Sequence, residues 1–315
     1  MLNPVIPVNL LQANEDLIGM RALDVFAAVV GAMTARGIGV IVNDHITQAQ
    51  WCDGMNLCDA SWHNESLPLC RVRQTEEEWI QHWEVVMGRF VGDPWVIGCD
   101  LRNEVRGLWG TMTWGMWAAA AERCGERLLR LNPEWLMVVE GVSSANDLSG
   151  ARARPVRYSV PGRVVYSSHV YSWSGWGSLV PFNKRSYPSF VEEMRRNWSY
   201  LLEEDIAPVW VGEFGVGGNP AGGDRHYWVN LMRYLEHVDA DFGYWALNPR
   251  KPHKNEFESY GLLGDDWRSE RGGFRLRDMK RLMRSEKGGP LIGEGAFGVQ
   301  DEKRDEGPDE KKAIR

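Results

Sequence analysis

Two stretches of the chain decide the fold class: Val96-Ile97-Gly98-Cys99-Asp100-Leu101-Arg102-Asn103-Glu104 and Val209-Trp210-Val211-Gly212-Glu213. Each is a short, largely apolar run that ends in a glutamate. Similar β-branched runs alternate along the chain with longer segments of helical periodicity, which is typical of βα units and a parallel sheet. The alternation predicts strands at residues 38–43, 96–103, 135–140, 164–171, 209–213 and 242–248.

The number of strands sets the architecture. A β/α barrel needs eight strands to close, and little chain precedes the first predicted helix, which contains Leu23, Phe26 and Val30. We therefore expect an α/β fold, a (β/α)₈ TIM barrel that is N-terminally truncated and keeps six of its eight strands. We assign residues 1–288 to this domain. Residues 289–315 have mixed charge without apolar periodicity and are predicted to form a disordered tail.

Composition excludes several classes of function. The formal net charge of -7 argues against nucleic acid as a partner, because phosphate binding requires a basic field. Apolar stretches such as residues 27–33 are too short for a bilayer span, so we expect no integral membrane segment. Residues 1–14 lack the pattern of a secretory signal, so either the protein stays inside the cell or its true N-terminus lies upstream.

Cysteine and tryptophan usage give two further expectations. Cys52, Cys58 and Cys70 fall in one loop-like stretch, where one disulfide or free thiols are both possible, whereas Cys99 and Cys124 are expected to be buried. No metal-ligand spacing is present, and we expect neither a metal nor another cofactor. The 16 Trp residues favour a carbohydrate site, because wide aromatic faces pack against sugar rings, although many could simply pack between helices and sheet.

Polar residues end the predicted strands. In parallel barrels the reacting groups cluster at the C-terminal ends of the strands. The residues found there are His45, Asn103, Glu104, Glu140, His169, Tyr171, Glu213 and Trp245. Hydrolysis of a glycosidic bond requires one protonated carboxyl group and one ionised carboxylate. Glu104 and Glu213 can supply that pair, whereas a structural hydrogen bond is the favoured role for Glu140.

The same residues resemble the motifs of glycoside hydrolase family 5. Asp-Leu-Arg-Asn-Glu at residues 100–104 resembles the fourth-strand acid/base motif, and Val-Gly-Glu-Phe-Gly at 211–215 the seventh-strand nucleophile motif. His-Val-Tyr at 169–171 is similar to the sixth-strand motif and Tyr-Trp-Ala-Leu-Asn at 244–248 to the eighth-strand motif. Asn-Asp-His at 43–45 is similar to a third-strand segment of the cellulase-like branch. The order of the motifs also agrees with the family from about residue 20 to about residue 285.

The resemblance implies a role for each residue. Glu104 would be the general acid/base and Glu213 the nucleophile, with their carboxyl groups about 5 to 5.5 Å apart as in retaining enzymes. Asn103 would bind the sugar 2-hydroxyl and Tyr171 would hold the nucleophile. The remaining members of the set would shape the polar floor or stack under the sugar: His45, His169 and Trp245.

The resemblance also has a departure. The family's first two strands have no counterpart here, and with them goes the arginine that normally pairs with the nucleophile. We expect the pKa of Glu104 to be raised by the nearby charge of Glu213. We expect Glu213 to stay ionised, although less securely than beside an arginine.

Two functions remain open at this point. The first is a retaining hydrolase of a β-glucan or another β-glycoside, acting without a cofactor as a monomer. The second is a catalytically impaired carbohydrate-binding protein that has lost activity together with the missing strands. The family suggests a secreted enzyme of polysaccharide degradation, with a carbohydrate as its partner.

Overall fold

The computed structural model describes residues 14–48, 56–107, 112–174, 180–251 and 256–283. Its strands are β1 (Val40–Asn43), β2 (Val96–Asp100), β3 (Leu136–Glu140), β4 (Val164–His169), β5 (Val209–Glu213) and β6 (Asp241–Phe242). Each strand pairs in parallel with the next, giving one curled sheet in the order β1-β2-β3-β4-β5-β6. The six predicted parallel strands are confirmed, and the sheet is a half-barrel.

Six main helices accompany the strands: α1 (Ala22–Thr34), α2 (Glu76–Met87), α3 (Trp114–Leu131), α4 (Tyr187–Met194), α5 (Gly223–Val238) and α6 (Phe274–Met283). Helix α4 continues through a π-helical turn, Arg195–Ser199, into Tyr200–Glu203. Shorter helical turns lie at Glu15–Leu17, Leu57–Asp59, Val142–Ala145, Ser149–Ala151 and Phe182–Lys184. Thr75 and Glu78 form a capping box at the start of α2, with both of its hydrogen bonds present.

Several strands are shorter than the sequence predicts. Strand β6 covers two residues rather than the seven of 242–248, and β2 and β4 end three and two residues before their predicted ends, 103 and 171. The chain leaves the sheet there because its polar groups find other partners. For example, the N–H of Asn103 donates to the carbonyl of Asp44 at 3.0 Å, and that of Trp245 donates to Phe214 at 2.9 Å.

Buried indoles join the helices to the outer face of the sheet. Trp62, Trp79 and Trp117 form one cluster with ring centroids 5.2 to 6.3 Å apart. The indole N–H of Trp83 donates to Leu101 at 3.0 Å, which fixes α2 against the end of β2. Each buried indole removes about 150–250 Å² from water, worth roughly 4–6 kcal/mol before the cost of ordering. Much of the unusual tryptophan content therefore serves packing.

The inner face of the sheet is partly uncovered. Ile97 lies inside β2, between buried Val96 and Gly98, yet its side chain is 39% exposed. Beside it, at the amino ends of the strands, lies a cavity of about 560 Å³ lined in part by Trp135, Leu136 and Arg163. In a closed barrel, side chains fill this space. Strands β1 and β6 form the two edges of the described sheet.

Two expectations from the sequence concern other parts of the chain. The predicted domain boundary at residue 288 and the tail 289–315 lie outside the described residues. None of the helices in the described part of the chain has the length and apolar character that crossing a membrane requires.

Candidate active site

Glu104 lies in a turn just beyond the C-terminal end of β2. Its backbone has a φ of +48°, in the left-handed region that side-chain-bearing residues rarely adopt. The N–H of Glu104 donates to Oε2 of Glu140 at 2.6 Å, and the preceding residue, Asn103, is buried. The turn therefore directs the Glu104 carboxyl group along the carboxyl ends of the strands.

Glu213 ends β5 and faces Glu104. The hydroxyl of Tyr171 donates a hydrogen bond to Oε2 of Glu213 at 2.8 Å. Gly212 brings β5 against β4 at this point, because a Cβ there would collide with the Ser167 hydroxyl. One carboxylate oxygen of Glu104 and one of Glu213 lie within 4.8 Å of each other.

His169 connects the two glutamates. Its Nδ1 lies 3.1 Å from Oε1 of Glu104 and 3.7 Å from Oε2 of Glu213, and its Nε2 lies 3.4 Å from Oε1 of Glu140. Burial alone would lower the pKa of His169, but the charges of Glu140 and Glu213 and the hydrogen bond with Glu104 raise that pKa well above its ordinary value. The three carboxyl groups around the ring therefore favour its imidazolium form.

Glu213 is held in its ionised form only weakly. Burial raises the pKa of Glu213 to about 7, and the charges of Glu104 and Glu140 act in the same direction. His169 and the Tyr171 hydrogen bond lower the pKa without cancelling these effects. We expected Glu213 to be ionised less securely than beside an arginine, and the raised pKa agrees with that, because His169 is shared with two other carboxyl groups.

Glu140 belongs to the same cluster and makes a structural hydrogen bond, which is the role that the sequence favoured for it. Its side chain is fully buried, and Oε2 accepts the Glu104 N–H. Oε1 of Glu140 and Nε2 of His169 lie 3.4 Å apart and form an ion pair rather than a hydrogen bond. Asp100, at the end of β2, interacts with the Glu140 side chain, and burial raises the pKa of Asp100 well above its ordinary value. The strand-end pattern gave no reason to single out Asp100.

Aromatic side chains flank the glutamates. His45 stacks on Trp245 with ring centroids 5.4 Å apart and an angle of 9° between the planes. Trp173, which is 52% exposed, stacks on Tyr171 at 5.3 Å and 11°. Several further tryptophans follow predicted strands in the sequence, where aromatic residues could bind a sugar. Of these, Trp62 is buried in the core instead, whereas Trp51, Trp109 and Trp176 lie outside the described residues.

The loop after β1 is fixed by a disulfide and a buried ion pair. Cys58 and Cys70 form the disulfide, which settles the alternative left open by the sequence, while Cys52 lies outside the described residues. The guanidinium of Arg102, fully buried, pairs with Asp59 at 3.1 Å. Because Arg102 directly precedes Asn103 and Glu104, this pair ties the loop to the acidic turn. Cys99 and Cys124 are buried thiols, as predicted.

A metal ion could be considered at the same cluster. Glu104, His169 and Glu213 each offer one ligand atom, all within 4.8 Å of one another. A histidine must be neutral to bind a metal. The carboxylates around His169 favour its protonated form instead, so the donor set fits a metal poorly.

Comparison with known proteins agrees with this site. The sequence model described as Cellulase (glycosyl hydrolase family 5) matches residues 4–251. An endoglucanase of Paenibacillus polymyxa is 33% identical over 270 residues, covering 81% of this chain and 63% of that protein. The major extracellular endoglucanase of Xanthomonas campestris pv. campestris is 28% identical, covering 82% of this chain and 52% of that protein.

Solved structures give the same relationship. The hyperthermophilic endocellulase from the archaeon Pyrococcus horikoshii superimposes with a TM-score of 0.69 at 25% identity, covering 87% of this chain and 77% of that one. The chain spans about half to two thirds of the length of the curated relatives named above. The family match extends over all six strands of the described sheet and includes both glutamates. The chain therefore belongs to glycosyl hydrolase family 5.

Proposed function

We propose that the protein is a retaining β-glucan hydrolase. The observation that carries this proposal is the pair of carboxyl groups on Glu104 and Glu213, with oxygens within 4.8 Å of each other at the ends of β2 and β5. Retaining glycosidases hold their carboxyl groups about 5 to 5.5 Å apart, whereas inverting enzymes leave about 6.5 to 9.5 Å for a water molecule. The short separation favours direct attack by a carboxylate.

In the first step, Glu213 attacks the anomeric carbon while Glu104 gives its proton to the leaving glycosidic oxygen. In the second step, Glu104 takes a proton from water, which attacks the anomeric carbon and releases Glu213. The hydrogen bond from Tyr171 orients the Glu213 carboxylate, and the His169 imidazolium lies beside both carboxyl groups. Attack requires Glu213 to be ionised, so we expect activity to rise with pH through about 7.

The flanking residues would bind the sugar. Asn103 would hydrogen-bond the 2-hydroxyl, and the stacked pair of His45 and Trp245 would lie under the ring before the scissile bond. Trp173 presents a half-exposed indole on the Tyr171 side of the glutamates. The endoglucanase and endocellulase names of the relatives support a β-glucan as the substrate and cleavage within the chain.

The test is hydrolysis of dinitrophenyl β-cellobioside and of cellotetraose. Glu213→Gln should abolish turnover of both, whereas Glu104→Gln should retain activity on the dinitrophenyl substrate, whose leaving group needs no proton. Glu134→Gln, an exposed residue paired with Arg163, is the matched control and should leave both rates unchanged. Proton NMR of the first product should show the β-anomer. An α-anomer would overturn the retaining mechanism, and binding without turnover would favour the carbohydrate-binding alternative.

We further propose that β1 to β6 correspond to strands three to eight of the family's barrel. The order of the motifs along the chain supports this register, and so do the sheet edges at β1 and β6 and the exposure of Ile97. No described residue forms strands one and two. An experimental structure of the full chain, with residues 1–13 traced, tests the assignment.

Domain extent, secretion and oligomeric state are also proposals. We propose a catalytic domain of residues 1–288 with a tail of 289–315, and limited proteolysis tests that boundary. The Cys58–Cys70 disulfide supports an oxidising, extracellular location. A monomer is supported by the fact that one chain supplies Glu104, His169 and Glu213, and sedimentation velocity tests it.

A further inference from the structure

Glu140 lies behind the acid/base residue rather than in the cleft. It is the last residue of β3, which pairs with β2 on one side and β4 on the other. Its side chain has no exposed surface, so a substrate cannot touch it. The indole N–H of Trp117, on α3, donates to the Glu140 carbonyl at 2.8 Å and holds this strand end from outside the sheet.

The two carboxylate oxygens of Glu140 act on Glu104 at two places, directly at its backbone and through His169 at its side chain. Oε2 accepts the backbone N–H of Glu104 at 2.6 Å. Oε1 lies 3.4 Å from Nε2 of His169, and Nδ1 of the same ring lies 3.1 Å from the Glu104 carboxyl group. Glu140, the Glu104 backbone, the Glu104 side chain and His169 therefore form a closed ring of contacts.

The backbone of Glu104 needs such support. Its φ of +48° is unfavourable for a residue with a side chain and persists only where the surroundings hold it. A hydrogen bond from an N–H to a carboxylate is of the stronger, charge-assisted class. The contact with Glu140 acts directly on the residue whose conformation is strained.

We propose that Glu140 is a positioning residue that fixes the orientation of Glu104 for proton transfer, an inference that rests on the proposed hydrolase function. The carboxylate holds the strained backbone of Glu104 and orients His169 against its carboxyl group. Loss of Glu140 should therefore impair the steps that need a proton from Glu104 more than those that do not.

The charges around Glu140 agree with this role. Ion pairing with His169 and the Glu104 N–H keep the pKa of Glu140 below its ordinary value despite burial. Burial raises the pKa of neighbouring Asp100, which favours the protonated carboxyl group, the form that can donate to Glu140. The ionised form of Glu140 is thus favoured by the ion pair with His169 and by donors at Asp100 and at the backbone of Glu104.

The first arm of the test does not depend on turnover. Glu140→Leu removes both acceptors, Glu140→Gln keeps the shape without the charge, and Glu193→Gln removes a buried carboxylate that pairs with Arg185 on the outer helices. In the full chain labelled with ¹⁵N-glutamate, Glu140→Leu should move the Glu104 amide resonance upfield and weaken its protection from hydrogen exchange. Glu193→Gln should not. An unchanged Glu104 amide in the folded Glu140→Leu variant overturns the proposal.

The second arm compares leaving groups. For phenyl β-cellobioside, which needs the proton of Glu104, Glu140→Leu should lower kcat/KM by about 100-fold, the lower end of what a general acid contributes. For dinitrophenyl β-cellobioside the loss should stay within about 3-fold, because little acid catalysis is needed. Glu140→Gln should fall between the wild type and Glu140→Leu on the phenyl substrate.

The outcomes separate the positioning role of Glu140 from the proposed hydrolase function. Equal losses on both substrates would indicate a merely structural role and overturn the positioning of Glu104. A wild-type chain that hydrolyses neither substrate overturns the proposed function, while the amide resonance still decides whether Glu140 holds the Glu104 backbone.

Discussion

Replacing Tyr171 by Phe removes one defined interaction, the hydrogen bond to Glu213 at 2.8 Å. Hydrogen bonds to charged groups contribute about 1.5–3 kcal/mol, and one pKa unit corresponds to about 1.36 kcal/mol. The bond stabilises the ionised form of Glu213, so its loss should raise the Glu213 pKa by about one to two units from its value of about 7.

The sign of the effect on activity follows directly. Attack requires ionised Glu213, and that form is lost as the pH falls through the pKa, so a higher pKa moves the acid limb of kcat/KM upward. At about pH 7, where half of the wild-type nucleophile is ionised, the Tyr171→Phe variant should lose roughly 5- to 50-fold in kcat/KM. The loss should shrink toward higher pH.

Dinitrophenyl β-cellobioside is the substrate of choice, because its leaving group does not need the Glu104 proton and the acid limb then reports on Glu213. Tyr166→Phe is the matched control. The buried hydroxyl of Tyr166, on β4, accepts the N–H of Val156 at 2.9 Å, away from the glutamates. The control should lower stability without moving the limb. An acid limb in Tyr171→Phe that stays in place or moves to lower pH would refute the reasoning.

Three further predictions concern Trp173, the disulfide and the exposed face of α1. Trp173→Ala should raise the KM for cellotetraose by roughly 10-fold with little change in kcat, because its half-exposed indole stacks on Tyr171. The control is Trp95→Ala at the opposite end of the sheet, an exposed residue whose replacement should leave the KM unchanged. Calorimetry should show that Cys70→Ser, which opens a loop of sequence separation 12, costs about 3 kcal/mol of unfolding free energy. On α1, Val29 is 49% exposed, so Val29→Lys should reduce aggregation measured by light scattering. Its neighbour Val30 is buried, so Val30→Lys should destabilise the fold instead.

The electrostatics of the site differ from those of a nucleophile paired with an arginine. With an arginine beside it, a nucleophilic glutamate would be ionised over the whole neutral range. Here the cation is His169, whose charge is shared with Glu104 and Glu140. Burial therefore prevails at Glu213 and raises its pKa. A chain with this cluster should work best at neutral to alkaline pH.

The parallel α/β architecture and the pair of glutamates could both be predicted without coordinates. Strand and helix periods are local properties of the chain, and the carboxyl ends of parallel strands share one edge of the sheet, so residues 104 and 213 could be paired from sequence. The Thr75 capping box is equally local, because a Thr followed three residues later by Glu is a pattern that the sequence itself contains.

The neighbours of each of these residues, in contrast, became evident only in the folded chain. The choice of Cys58 and Cys70 as the disulfide pair depends on which loop positions approach each other. The end of β6 at Phe242 depends on hydrogen bonds to β5 that no periodicity encodes. The raised pKa of Glu213 arises because charges and burial from β2, β3 and β4 sum at one point in space. A sequence specifies which groups are present, but burial and distance, which set their ionisation, exist only after distant segments have packed together.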